Sequence, residues 1–260
     1  MRVLFLADVF GAAGRRAVEA RLPSLKHELG ADFCVVNGEN AADGLGLTAK
    51  LAEKLLAAGA DVLTTGNHVW RHRDLLPVLE TDLRVIRPAN LGGPSAPGRG
   101  LTVAEAADGT PVAVLNLQGM VFMKTRVDAF QVVDGLVEEA RSAARVVIVD
   151  FHAEATSEKV AMARHLDGRV TAVVGTHTHV PTADARIQPG GTAAITDAGM
   201  TGPHDSVIGA RAELVLQQFT TGLPTRLHPA DGGVRIEGVV IDCDEQGRAT
   251  GFEALRIPVE

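Results

Sequence analysis

The chain has no tyrosine, a single tryptophan and two cysteines in 260 residues, and aromatics make up 3% of it. Cys34 lies inside an apolar run and Cys243 near the carboxyl end, which excludes a disulfide framework and a CxxC metal site. Long hydrophobic runs are missing too: stretches such as Val146 to Val149 and Thr171 to Val174 are far below the ~20 residues of a membrane span. Positive charge is also in deficit. A net charge of -7 argues against an extended nucleic-acid surface, which needs clustered Lys and Arg, although bound cations can reverse the local field around a small phosphate ester. The amino terminus passes directly from Met1-Arg2 into Val3-Leu4-Phe5-Leu6-Ala7 and Asp8, without the longer apolar segment of a signal peptide, so residence in the cytoplasm is expected.

What is present is a globular composition, 46% hydrophobic, with no repeat or linker that divides it, and a single domain over residues 1–260 is expected. β-rich runs alternate with helical patterns: Val3 to Ala7, Phe33 to Asn37, Val62 to Thr65, Leu83 to Ile86, Val112 to Leu117, Val146 to Asp150, Val170 to Val174 and Ala193 to Thr196. That rhythm predicts an α/β fold. Leu47, Leu51 and Leu55 recur at helical spacing behind Thr48 as a cap, with Gly59 as terminator. A first helix over Gly14 to Leu29 carries Pro23, which predicts a kink or a late start. The runs Val234 to Asp242 and Ala254 to Ile257 read as antiparallel additions to a sheet, and Arg87 to Gly100, half Gly or Pro, as an ordered loop.

Polar residues collect just after the apolar runs: Asp8; Asn37-Gly38-Glu39-Asn40; Gly66-Asn67-His68; His152; and His177-Thr178-His179. In parallel sheets such strand ends converge on one edge, where functional groups lie. The set holds two carboxylates, three side-chain amides and four of the nine histidines. Oxygen and imidazole donors without thiolate favour Mn, Fe or Zn, and the inventory exceeds one coordination sphere. A carboxylate such as Glu39 can bridge two cations, and His177 and His179 project to one side of an extended segment. Each group has a plainer reading: Asp8 as a helix cap, Gly66-Asn67 as a turn, His152 as a hydrogen-bonded structural histidine. Convergence of five strand ends favours the metal site.

In this series the chain resembles the calcineurin-like metallophosphoesterases: Asp8, Glu39-Asn40, Gly66-Asn67-His68, His152 and Gly175-Thr176-His177-Thr178-His179 follow in that order. More narrowly it resembles the YmdB-like bacterial phosphodiesterases, through Asp8-Val9-Phe10-Gly11, Asn37-Gly38-Glu39-Asn40, Arg87-Pro88-Ala89-Asn90 and Thr196-Asp197-Ala198-Gly199-Met200-Thr201-Gly202-Pro203. The broad superfamily carries a histidine where Phe10 stands and an aspartate where Glu39 stands; both departures match the YmdB-like pattern. The resemblance implies a four-layer αββα sandwich, activity on phosphodiesters including 2',3'-cyclic nucleotides, and two divalent transition-metal ions, Fe or Mn ahead of Zn or Mg. It further implies a first metal held by Asp8, Glu39, Asn40 and His179, and a second by Glu39, Asn67, His152 and His177, with His68 off the metals.

The expected mechanism is in-line attack by a hydroxide held between the cations, with His68 as the proton donor to the leaving alkoxide. Other dinuclear hydrolases, acting on a phosphomonoester or an amide, use the same metals. A regulatory protein with a vestigial metal site is a further alternative. A nucleotide-binding reading of Gly11-Ala12-Ala13-Gly14 lacks the GxGxxG spacing. The loops Arg87 to Gly100 and Gly199 to Ser206 are candidates for substrate contact, with His204 toward a phosphate, or equally for a structural role, and self-association into a homo-oligomer stays open.

Overall fold

The computed structural model describes residues 1–259. Its strands are β1 (Arg2–Leu6), β2 (Phe33–Asn37), β3 (Val62–Thr64), β4 (Leu101–Glu105), β5 (Pro111–Gln118), β6 (Val146–His152), β7 (Ala172–Thr176), β8 (Arg186–Ile187), β9 (Ala193–Ile195), β10 (Gly202–Pro203), β11 (Val234–Cys243) and β12 (Ala249–Pro258). The helices are α1 (Gly11–Leu29), α2 (Ala49–Ala57), α3 (Leu76–Thr81), α4 (Ala129–Ala143), α5 (Thr156–His165) and α6 (Ala212–Thr221). One sheet has the order β10-β11-β1-β2-β3, with β12 paired to β11, and the other β4-β5-β6-β7-β9-β8. β1, β2 and β3 run parallel, as do β5, β6, β7 and β9, while β11 and β12 are antiparallel additions.

Strands buried on both faces read as continuous apolar runs, and alternate side chains of each run serve different layers. Val3, Phe5, Val35 and Val62 from one sheet pack between the sheets with Val112, Val114, Ile148 and Val174 from the other. Leu4, Leu6, Cys34 and Val36 turn outward to meet Leu22 and Leu25 of α1 and Leu55 of α2. Leu115, Val147 and Val149 do the same toward Val133 and Val137 of α4 and Met162 of α5. Helices, sheet, sheet and helices form the four layers.

Two sequence expectations differ from the structure. Leu83 to Ile86 is not a ladder strand: only Val85 bridges to Leu63, because Ile86 N–H reaches Leu63 O and the chain then leaves the sheet edge toward Pro88. α1 starts earlier than expected, at Gly11, and runs through Pro23 without a side-chain cap; Gly14 lies so close to the Thr201 carbonyl that a Cβ there would sit 2.1 Å from its oxygen. α2 is capped as read, Leu51 N–H donating to Thr48 Oγ1 at 3.3 Å.

The pairing of β1 with β11 fixes where β1 ends, and so where Asp8 sits. Leu6 lies opposite Gly238, and a Cβ on Gly238 would stand 2.0 Å from the Phe5 carbonyl oxygen. Gly238→Ala is expected to lower stability by about 1–3 kcal/mol, as backbone must shift to admit the methyl. A thermal unfolding midpoint equal to wild type would contradict this close approach.

Candidate metal centre

The fold brings all eight singled-out residues to one edge, where the carboxyl ends of both sheets meet. Asp8 follows β1, Glu39 and Asn40 follow β2, Asn67 and His68 follow β3, His152 ends β6, and His177 and His179 follow β7. Asp8, Glu39 and His152 are fully buried, Asn40 and His179 nearly so, and His68 has about a third of its side chain exposed. Asp8, His177 and His179 have positive φ (26°, 96° and 64°), a region in which non-glycine residues are strained. The plain reading of Asp8 as a cap fails: the N-cap of α1 is Phe10, and Asp8 Oδ2 accepts from His177 N–H at 2.8 Å.

Glu39 is aimed by the β3 turn. Its two oxygens accept the backbone N–H groups of Gly66 and His68, while its own N–H donates to Asn37 Oδ1 at 3.0 Å. Glu39 Oε1 lies 4.0 Å from His152 Nε2. That nitrogen is 3.0 Å from Asn67 Oδ1 and 3.1 Å from His177 Nδ1, and His177 Nε2 is 3.1 Å from Glu154 Oε2. Only glycine fits at position 66, since a Cβ would meet His152 Nε2 at 2.3 Å.

On the other side, His179 Nδ1 donates to the Ile208 carbonyl at 2.9 Å, so Nε2 keeps its lone pair and accepts from Asn40 Nδ2 at 3.0 Å. His179 Nε2 stands 4.0 Å from Asp8 Oδ2. Phe10 meets the His179 ring edge-on at 5.5 Å between centroids. His68 Nδ1 is 3.1 Å from both Asn40 Oδ1 and Glu39 Oε1; its Nε2 has no hydrogen-bond partner among the described residues.

The supporting network went unread in the sequence. Asp150, fully buried in β6, accepts from Asn37 Nδ2 (2.8 Å), Thr64 Oγ1 and Thr176 Oγ1 (2.7 Å), tying β2 and β3 of one sheet to β6 and β7 of the other. Asp197 holds the loop after β7 through the N–H and hydroxyl of Thr178, and pairs with buried Lys159 at 3.0 Å. An aspartate closing an apolar run, as Asp8 does after β1, was the available signal for Asp150.

Burial dominates the electrostatics. It pushes Asp8 well above the ordinary aspartate range, with Asp197 adding to the rise, and lifts Asp150 to about 6. It holds His152 well below the usual imidazole value, His177 at about 4, and His179 below normal as well. The three histidines are therefore neutral, each with a lone pair to offer.

The two loops flagged in the sequence are internally occupied. The Arg87 guanidinium donates to the carbonyls of Pro88, Ala96, Pro97 and Gly98 and stacks over Trp70, so it organises its own loop. His204 Nε2 donates to the Met200 carbonyl at 3.1 Å, and buried Glu237 accepts from Met200 N–H.

The sequence model of the YmdB-like protein family matches residues 4–255. The chain belongs to the YmdB-like family. It is 46% identical over 246 residues to a Bacillus subtilis (strain 168) 2',3'-cyclic-nucleotide 2'-phosphodiesterase, covering 95% of this chain and 92% of that one. A crystal structure of a hypothetical protein from Thermus thermophilus superposes with a TM-score of 0.92 at 41% identity, covering 99% of both chains. A novel phosphatase from Mycoplasma pneumoniae superposes at 0.91 with 38% identity, covering 99% of this chain and 93% of that one.

Among the described residues, no three His, Cys, Asp or Glu side chains make a metal-holding group by themselves; Asn40 and Asn67 interleave the carboxylates and imidazoles. The donor chemistry of the YmdB-like set nevertheless fits cations. Buried Asp8 Oδ1 has no hydrogen-bond partner, and Asn67 Oδ1 and His177 Nδ1 both converge on His152 Nε2, at 3.0 and 3.1 Å, where one imidazole proton at most is available. A cation relieves both conflicts.

Because burial raises the pKa of Asp8, the metal-free folded state holds its proton longer than the unfolded chain does. Its stability is full below the ordinary aspartate pKa of ~3.9 and is lost as pH rises through the folded value. Asp8→Asn is thus expected to raise the unfolding midpoint of metal-free protein at neutral pH, with the gap closing toward pH ~4, near the ordinary aspartate value. Melts of chelator-treated protein across that range check it; a destabilised, pH-independent variant would overturn the assignment.

Proposed function

We propose that this chain is a metal-dependent phosphodiesterase that hydrolyses small phosphodiesters, 2',3'-cyclic nucleotides among them. The observation that carries the reading is the meeting of lone pairs and buried carboxylates at the junction of the two sheets, with too few protons or cationic side chains to satisfy them. The printed activity of the Bacillus subtilis relative supports the same reaction class. The reading takes residues 1–260 as one metallophosphoesterase domain, since both sheets supply the site.

Two divalent ions, Fe or Mn first, fit the inventory. Asp8, Glu39, Asn40 and His179 would hold one, and Glu39, Asn67, His152 and His177 the other. When bound, such ions lower the pKa of water toward about 7 and take up charge from phosphoryl oxygens. The chain's own residues do the rest. Hydrogen bonds aim each lone pair before any ion arrives, and burial keeps the imidazoles neutral at working pH. His68 is held through Nδ1 by Asn40 and Glu39, leaving Nε2 to carry a proton to the departing alkoxide. The net charge of -7 suits a small substrate drawn in by cations and disfavours a long polyanion. Among the described residues no helix is long and apolar enough to cross a membrane.

The purified protein is expected to take up about two Mn or Fe per chain, to hydrolyse a 2',3'-cyclic nucleotide and a linear diester, and to lose both activities on chelation. Full turnover with chelator present, or saturation at one ion, would sink the two-metal reading.

His68→Ala and His68→Gln should keep both metals yet lose ~10² to 10⁴ in rate on a cyclic nucleotide, whose ribose oxygen needs a proton to leave. A p-nitrophenyl diester, with a stable leaving anion, should suffer far less. Equal losses on the two substrates would remove His68 from the acid role, and loss of metal would place it among the ligands.

A further inference from the structure

One side of the His152 ring is committed. Its Nδ1 lies 2.9 Å from Thr176 Oγ1, and that hydroxyl lies 2.7 Å from Asp150 Oδ1. A hydroxyl has one proton to give, and an ionised carboxylate only accepts. The Thr176 proton therefore goes to Asp150, and Thr176 must accept from His152, which puts the imidazole proton on Nδ1. The other Asp150 oxygen is likewise an acceptor, from the Asn37 amide, a pure donor, and from the Thr64 hydroxyl. Nε2 is left with its lone pair, facing Asn67 Oδ1 at 3.0 Å and His177 Nδ1 at 3.1 Å.

We infer that Asp150, acting through Thr176, is a positioning residue that selects the His152 tautomer able to ligate a metal through Nε2; the inference rests on the metal-dependent reading above. Asp150 and Thr176 are both fully buried on the Nδ1 side of His152. The arrangement follows the general rule that the non-ligating nitrogen of a metal-binding histidine donates to an outer partner, which fixes the tautomer and the ring orientation. Here the immediate partner is a hydroxyl, and the charge that orients it lies one bond further out, on a carboxylate shared between the two sheets.

The tautomer is readable without metal or substrate. In 15N-labelled, metal-free wild type, a long-range 1H–15N correlation, assigned by loss of the signal in His152→Gln, should show His152 protonated on Nδ1. Thr176→Val removes the acceptor at nearly constant volume: His152 should lose its Nδ1 preference and Mn affinity should fall on the order of 10 to 100-fold. Thr176→Ser keeps the hydroxyl and should restore the tautomer and the affinity. A wild-type ring protonated on Nε2 overturns the inference with no variant needed, as does a Thr176→Val protein that keeps both the wild-type tautomer and its Mn affinity. Hydrolysis of a 2',3'-cyclic nucleotide by Mn-loaded wild type is measured in parallel. An inactive wild type with the expected tautomer tells against the phosphodiesterase reading, whereas an active one with the opposite tautomer tells against Asp150.

Discussion

Uncompensated negative charge in the interior is the constraint on which the rest of this structure depends. Asp8, Glu39, Asp150 and Asp197 are all fully buried where the two sheets meet, and Lys159 is the buried cation among them. Taking a carboxylate out of water costs several kcal/mol even after relaxation unless something replaces the lost hydration. The protein replaces it piecemeal. Backbone N–H groups of Gly66 and His68 serve Glu39, hydroxyls and an amide serve Asp150, Lys159 and the Thr178 hydroxyl serve Asp197, and Asp8 receives one N–H from His177 with Oδ1 left bare. The raised pKa of Asp8 and Asp150 records what remains uncompensated, and on the metal-dependent reading cations would supply what is missing.

The same constraint explains why the site spans two sheets. Parallel strands end together, so each sheet delivers its polar termini to one rim. Two sheets packed face to face bring two rims within reach. Asp150 bonds Asn37 and Thr64 across that junction, and Asn37 in turn receives the Glu39 N–H. One carboxylate thus sets the height of Glu39 in one sheet and, through Thr176, the ring of His152 in the other. Phe10 works differently: it offers no donor, but its ring packs between Gly44, Gly209 and His179 and so holds His179 in place by shape.

How much of this was legible follows from what the sequence records. Strands buried on both faces leave continuous apolar runs, and a polar residue follows each run, so β1, β2, β3, β6 and β7 could be read together with the placement of Asp8, Glu39, Asn67, His152 and His177 at their ends. Leu83 to Ile86 has the composition of a strand but no neighbour free to pair with more than Val85, which only the packed sheet reveals. Asp150 was hidden because it precedes His152 inside the strand and looked like part of the run. For His204 the sequence left a phosphate contact and a structural role open, and its nearest acceptor is the Met200 carbonyl within its own loop. Hydrogen-bond direction is a property of three dimensions, and local sequence carries no trace of it.

Four of the six non-glycine residues with positive φ belong to the site or contact it; Asp43 and Phe122 are the other two. Asp8, His177 and His179 take left-handed backbone angles that cost ~1–3 kcal/mol each, and glycine would hold those turns at no such cost. A side chain at those positions is justified only by what it does, since none of the three fills the hydrophobic core. Ile208, β-branched and also left-handed at 47°, extends the pattern: its side chain is largely exposed, and it is its carbonyl that takes the His179 Nδ1 proton. Stability alone would place glycine at 208, as at the neighbouring Gly209; Asp8, His177, His179 and Ile208 instead lie around the same few lone pairs, so the strain at these four positions serves orientation at one edge of the sandwich.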